Sequence, residues 1–191
     1  MAKIIVVFGV SGVGKSWMIA RLAKRICVAH IQGSQLVRDA RAALSGTNVT
    51  SEDLRKGAVL DNQALLIDAF SKVVAKETLP IIFDGHCLID AGDKLIDIPL
   101  DVVEALTPSG IVLVQAPPFE IVARRQADTL RQRPTRSEED LAQHQEQCIV
   151  LCTDYANKLN VKLAIVPAGN EEIFSHVVKD IVNIPRQSRG L

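Results

Sequence analysis

The chain has 191 residues, 48% of them apolar, with 22 basic and 22 acidic side chains and a formal net charge of zero. That length and apolar share suffice for one buried core of single-domain size, so residues 1–191 read as one domain. The charge balance leaves no global field to attract a nucleic-acid polymer, and no apolar run reaches the roughly 18 residues of a membrane span.

Met1-Ala2-Lys3 runs straight into an apolar strand over residues 4–8, which leaves no room for a cleavable signal and predicts a cytoplasmic protein. Next comes Gly9-Val10-Ser11-Gly12-Val13-Gly14-Lys15-Ser16, a match to G-x-x-x-x-G-K-[ST], then a helix predicted over 16–27. Glycines let such a loop curl until successive N–H groups point at phosphates. Lys15 would reach the β and γ oxygens, and the Ser16 hydroxyl would ligate Mg²⁺. The helix start adds the positive end of its dipole. Residues 9–16 together with Trp17 are therefore the candidate ATP-binding segment.

A short strand is predicted at 28–31. A helix over 34–44 follows, ended by Ser45-Gly46, then one opening at the capping box Thr50-x-x-Asp53. Residues 61–76 form another helix, with Leu65, Leu66, Ala69, Phe70 and Val73 on one side. Strands at 80–83, 110–115 and 161–166 alternate with helices opened by Pro99 (to 106), by Pro118 (to 130) and by Ser137-x-x-Asp140 (to about 159). A last helix spans 171–182, and residues 185–191 read as a frayed tail. Strands that are apolar without alternation are buried on both faces. The fold class is α/β, a P-loop NTPase fold with a five-stranded parallel sheet and helices on both faces.

Two clusters bear on where the γ-phosphate goes. Ile81-Ile82-Phe83-Asp84 is an apolar strand ending in a carboxylate, placed to hold Mg²⁺ beside the loop; the competing reading is a turn-initiating Asp before Gly85. Arg124, Arg125, Arg131, Arg133 and Arg136 lie within thirteen residues that include a break between helices. They can act as a lid that neutralises a transferring phosphoryl group and excludes water, against the bland reading of a solvated basic face. Cys27, Cys87, Cys148 and Cys152 form no C-x-x-C pair, which predicts free thiols. His144, Cys148 and Cys152 share one helix face, but the outer two are about 12 Å apart along the axis, too far for one ion. A buried stripe is the expected arrangement.

From Lys3 to about Val166 the chain resembles the archaeal-type adenylate kinases, a nucleoside monophosphate kinase family. The matching segments are Gly33-Ser34, Asp53-Leu54-Arg55-Lys56, Asp84-Gly85-His86, Arg124-Arg125 with Asp128, Arg131-Gln132-Arg133, Glu139-Asp140-Leu141 and His144-Gln145-Glu146. The resemblance implies that residues 33–60 clasp the acceptor monophosphate, with Ser34 and Arg55 in contact with it. It also implies that His86 faces the reacting phosphates, that residues 128–137 with Arg131 and Arg133 form a short lid, and that the chain assembles as a homotrimer. Three departures stand out. Trp17 occupies a position where the family usually has a second hydroxyl, Gly85 stands where it tends to have Thr, and residues 91–99 lack the usual Gly/Pro/aromatic character.

The expected function is a Mg²⁺-dependent kinase moving the ATP γ-phosphate to AMP or a related monophosphate. Lys15, Asp84, Arg131 and Arg133 would be catalytic, and Ser16 and Asp84 would hold the metal. Two alternatives remain at this point. One is a small-metabolite kinase on the same fold, needing Asp84 or His86 as a base; the other is a non-catalytic nucleotide-binding regulatory protein.

Overall fold

A computed structural model describes residues 2–46, 59–92, 94–129, 131 and 133–183. The strands are β1 (Ile4–Phe8), β2 (Ala29–Gln32), β3 (Ile81–Asp84), β4 (Leu88–Asp90), β5 (Leu95–Asp97), β6 (Gly110–Gln115) and β7 (Lys162–Pro167). The helices are α1 (Lys15–Ala23), α2 (Gly33–Ser45), α3 (Val59–Val74), α4 (Leu100–Ala105), α5 (Pro118–Ala127), α6 (Glu138–Leu159) and α7 (Glu171–Val182).

Five strands form one parallel sheet in the order β2-β3-β1-β6-β7. Successive side chains of a strand point to opposite faces. Every residue of β1 is buried, from Val6 at 0% to Ile4 at 2% exposure, so both faces of the sheet are covered. On one side α1 packs against α7; elsewhere α3, α4, α6 and α5 pack in succession, with α6 also against β6 and β7.

The helix starts follow their local chemistry. Ser137 Oγ accepts from the Asp140 N–H (3.0 Å) and Asp140 Oδ2 accepts from the Ser137 N–H (2.9 Å), the capping box read in the sequence. Gly46 closes α2 with φ 68°. On the buried stripe of α6, Gln145 bonds both ways to the Ala116 backbone (3.0 and 2.9 Å), and the Tyr155 hydroxyl donates to the Ile98 carbonyl. Cys148 and Cys152 lie on that same stripe, buried, and Cys87 meets them from the segment after β3. All four cysteines are free thiols.

Three expectations need correction. The first helix ends at Ala23 instead of residue 27, because Lys24 and the two residues after it turn back toward β2 through Arg25 N–H and Ile26 N–H, both bonded to the Leu22 carbonyl. The helix opened by Pro118 ends at Ala127, since Asp128 is extended (φ −89°, ψ 90°). Finally, β4 and β5 pair antiparallel, two strands that the sequence does not signal because strands of three residues carry too little periodicity. The Thr50 capping box, the segment 53–56 with Arg55, and the tail 185–191 lie outside the described residues.

Candidate functional site

The parallel register puts three chain segments side by side. Val7 pairs with Asp84, and Asp84 pairs with Gln32. With strands about 4.8 Å apart, the loop after β1, the end of β3 and the first turn of α2 open onto one crevice at the carboxyl ends of the strands, where ligands of open α/β sheets bind. A cavity of about 430 Å³ runs from that loop to the facing sides of α2 and α3.

Two glycines show why the loop needs them. Gly9 has φ 149°, and a Cβ there would stand 2.6 Å from the Val114 carbonyl oxygen; Gly12 has φ 88°, and its Cβ would stand 2.9 Å from Cγ of Arg125. Val10 and Val13 turn into the core at 1% and 0% exposure, so they offer the ligand only backbone. Three guanidinium groups grip the loop. Arg124 Nη1 donates to the Val13 carbonyl (2.8 Å), Arg125 Nε to the Ser11 carbonyl (2.9 Å) and Arg133 Nε to Ser11 Oγ (3.1 Å). Engaging these oxygens holds the curl in which the N–H groups stay available to an anion.

Lys15 opens α1 and is buried, its Nζ donating to the Gly9 carbonyl (2.7 Å) and more weakly to that of Val10 (3.4 Å). The Gly9 carbonyl also meets His86 Nδ1 at 2.8 Å. A carbonyl only accepts, so Nδ1 carries the proton and Nε2 of the neutral ring is an acceptor. Burial, then the Lys15 charge, pulls the His86 imidazolium down to about 3, outweighing the attraction of Asp84 and the Gly9 bond. Burial likewise lowers Lys15, partly offset by Asp84.

Asp84 is buried, and its Oδ2 accepts from the Ser16 hydroxyl at 2.5 Å. His30 Nε2 stands 3.5 Å from the same oxygen, at the outer limit of a hydrogen bond. Burial pushes this carboxyl up, but His30, Lys15, Ser16 and His86 together outweigh it and hold it at about 2. A hydroxyl and a permanently ionised carboxylate in contact make a donor set that suits a hard cation such as Mg²⁺.

The cleft collects Ser11, Gly12, Gly14, Lys15, Ser16 and Trp17 from the loop side. It also gathers Ser34, Asp84, His86, Arg131 and Arg133, all of them expected from the sequence. Gly9 stands behind the loop and reaches the site through its carbonyl. Trp17 is half exposed at the rim, with the Arg21 guanidinium 4.9 Å from its ring centre. Arg133, expected as part of a lid or of a solvated basic face, is instead held against the loop. Its Nη2 is paired with Asp128 at 2.6 Å, its side chain is 7% exposed, and it is docked on the loop. Arg131 is exposed.

For several residues here the sequence did not show the contacts they make. Arg124 and Arg125 were visible as a pair but not as the brace of the loop, which depends on α5 lying over it. His30 gave no signal, being one histidine in a short strand. Arg136 ties the segment before α6 to the β4–β5 hairpin, bonding to both Asp90 oxygens (3.2 and 2.7 Å) and to the Gly92 carbonyl (2.6 Å). Against the effect of burial, that guanidinium holds the Asp90 carboxyl below its ordinary range. His144 and Gln63, both buried, also line the cleft with a ring or amide nitrogen lacking a partner.

A family model described as "AAA domain" matches residues 8–142, from the end of β1 through the loop, Asp84 and the arginines to the start of α6. The chain belongs to this AAA domain family. The family's span includes every side chain of the cleft described above except His144. Over nearly its whole length the chain is also similar to archaeal adenylate kinases. It is 29% identical to that of Pyrococcus furiosus and 28% identical to that of Thermococcus onnurineus, each alignment covering 96% of this chain and 95% of the relative. Among solved structures, the tunicamycin resistance protein of Deinococcus radiodurans superposes with a TM-score of 0.63 at 14% identity, covering 97% of this chain and 98% of that one. Shikimate kinase of Bacteroides thetaiotaomicron gives 0.54 at 15% identity, covering 95% and 99%. These two likenesses show the fold.

Proposed function

We propose that this chain is a small nucleoside monophosphate kinase of the adenylate kinase type, transferring the γ-phosphoryl group of ATP to AMP or a related monophosphate. The whole-length similarity to archaeal adenylate kinases supports the class. The observation that carries the reading is that whole-length similarity, supported by how the two groups that could act as a base are engaged. Asp84 Oδ2 accepts from the Ser16 hydroxyl at 2.5 Å, where the pair suits a shared metal, and His86 Nδ1 donates to the Gly9 carbonyl at 2.8 Å. A hydroxyl acceptor needs such a base; an ionised phosphate needs none, and alignment with charge neutralisation carries its rate. The contact between Ser16 and Asp84 and the braced loop also disfavour a purely regulatory role.

The loop amides bind the triphosphate, and Lys15 leaves the Gly9 and Val10 carbonyls to neutralise its β and γ oxygens. Ser16 and Asp84 would hold Mg²⁺, which supplies further positive charge to the phosphates. The first turn of α2, with Ser34, receives the acceptor phosphate at the positive end of the helix. An oxygen of that phosphate attacks the γ phosphorus as the bond to the β-phosphate oxygen breaks, and Arg131 and Arg133 stabilise the charge spread over the group in transit. We place the acceptor region at residues 33–60, including Arg55, and the lid at 128–137, within a single kinase domain. We further propose a cytoplasmic protein; among the described residues no helix is long and apolar enough to cross a membrane. A homotrimer is the assembly proposed, and a monomeric mass by light scattering would overturn it. Steady-state ADP formation from ATP with AMP, CMP, UMP, GMP and their deoxy forms tests the central reading. Turnover confined to a non-nucleotide acceptor would refute it.

A further inference from the structure

The arginine-rich segment before α6 is tied down at two places. Arg133 is paired with Asp128 and bonded to Ser11 of the phosphate loop. Three residues on, directly before the N-cap of α6, Arg136 reaches to the β4–β5 pair instead. Its Nε and Nη2 donate to the two oxygens of Asp90 (3.2 and 2.7 Å), and Nη2 also donates to the Gly92 carbonyl (2.6 Å). A planar guanidinium across both oxygens of one carboxylate fixes orientation as well as distance.

Asp90 is more than a surface counter-ion. It is buried, it lines the cleft beside Leu88 and Ile89, and its Oδ1 also accepts from the Gly92 N–H at 3.1 Å. One carboxylate thus joins a wall of the cleft to the end of the arginine segment, across 46 residues of chain. Exposed ion pairs contribute little; this one is partly buried, bidentate and set between two elements that both border the site. Neither residue lies in the segments through which the chain resembles archaeal adenylate kinases.

We propose that Asp90 and Arg136 are positioning residues for the phosphoryl step: the pair docks the end of the lid on β4 and so sets where Arg131 and Arg133 stand over the phosphates. This rests on the nucleotide-kinase reading above. Neither residue touches a reacting atom. A group that must meet charge spread over a moving phosphoryl is effective only if it is held in place beforehand. Arg133 gains that through Ser11 and Asp128, and Arg136 supplies the second fixed point, so the chain between the two cannot swing away from the cleft as one piece. A pair that only stabilised the fold would show in the melting curve and leave the rate alone.

The test compares the full-length wild type with Asp90→Asn, Arg136→Met and the double variant, by kcat with ATP and AMP, ATP affinity, ATP hydrolysis without acceptor, and thermal melting. Each single change lowers kcat by about 10-fold, inside the range that misplacing a reacting group costs, and leaves ATP affinity within about twofold of wild type. The double variant loses no more than either single one, because the two side chains act as a unit. A loosened lid admits water, so ATP hydrolysed per AMP phosphorylated rises. Arg136→Lys, which keeps the counter-charge of Asp90 but not the fork, keeps the test open if the others unfold, with a loss of at least about threefold in kcat. A kcat within about threefold of wild type in folded Asp90→Asn and Arg136→Met, or losses that add in the double variant, overturns the proposal and leaves the kinase reading intact. A wild type that phosphorylates no monophosphate removes the kinase reading and this role with it.

Discussion

Replacing Lys15 by Met tests the site through three separate readouts. Met keeps most of the volume of a side chain that is buried and removes its charge. The first readout is rate: the variant loses the cation that neutralises the phosphates, a loss comparable to that of one charge-stabilising donor, roughly 2.7–4 kcal/mol or about 10²–10³ in kcat. The second is stability. The bonds to the Gly9 and Val10 carbonyls disappear, at about 1 kcal/mol each. However, His86 still serves the Gly9 carbonyl, and the desolvation of a buried ammonium is relieved, so the net change in unfolding free energy stays within about 1 kcal/mol. The third is electrostatic. Lys15 disfavours the His86 imidazolium, so removing it raises the His86 pKa above its wild-type position of about 3. In the wild type the unfolded chain takes up the His86 proton below about 6.5 and the folded chain does so only near 3. Stability accordingly falls as pH drops through that window, and the fall is shallower in Lys15→Met. Coupled ADP-release kinetics, urea unfolding from pH 7 to 4 and the imidazole NMR titration measure the three. A kcat within about threefold of wild type, well under 1 kcal/mol, with an unmoved His86 titration would refute the placement of Lys15 at the reacting phosphates.

Three further outcomes are expected. Asp84→Asn lowers Mg²⁺-supported turnover far more than nucleotide affinity, because it removes the charge beside Ser16 and no contact with a base; titrations at fixed Mg²⁺ showing equal losses would make Asp84 structural. The double change Arg131→Ala with Arg133→Ala lowers kcat by about 10² or more, with part of the loss from Arg133 arising through the loosened Ser11 contact, so ATP affinity also falls modestly; kcat within about threefold would return the pair to solvent-facing duty. Gly33→Ala places a Cβ 2.7 Å from Cζ of Phe83, whose ring is also crowded by Gly85 on its other edge. Thermal unfolding should show a loss of about 1–3 kcal/mol, and the KM for the acceptor should rise; an unchanged melting curve would mean the ring has room to move.

The local instructions for this fold are written along the chain. Five apolar runs, the glycine loop at 9–14, the Ser137 capping box and the Pro118 helix start are each decided within a few residues, by steric and hydrogen-bonding rules that need no distant partner. Lys15, Ser16 and Asp84 were legible for the same reason: a loop motif and a strand-end carboxylate have their meaning in sequence. What required the tertiary structure is everything set by register and packing. Asp84 meets Ser16 across 68 residues because β1 and β3 pair in parallel with Val7 opposite Asp84. Arg124 and Arg125 brace the loop across more than 110 residues only once α5 lies over it. The Arg133 guanidinium, legible as a basic side chain near a break, is decided as a docked one by Asp128 and Ser11. Gln63 carried no signal at all in the sequence, since a glutamine on an amphipathic helix is ordinary. Its weight comes from being buried without a partner, and burial belongs to the packed chain and not to any one segment of it.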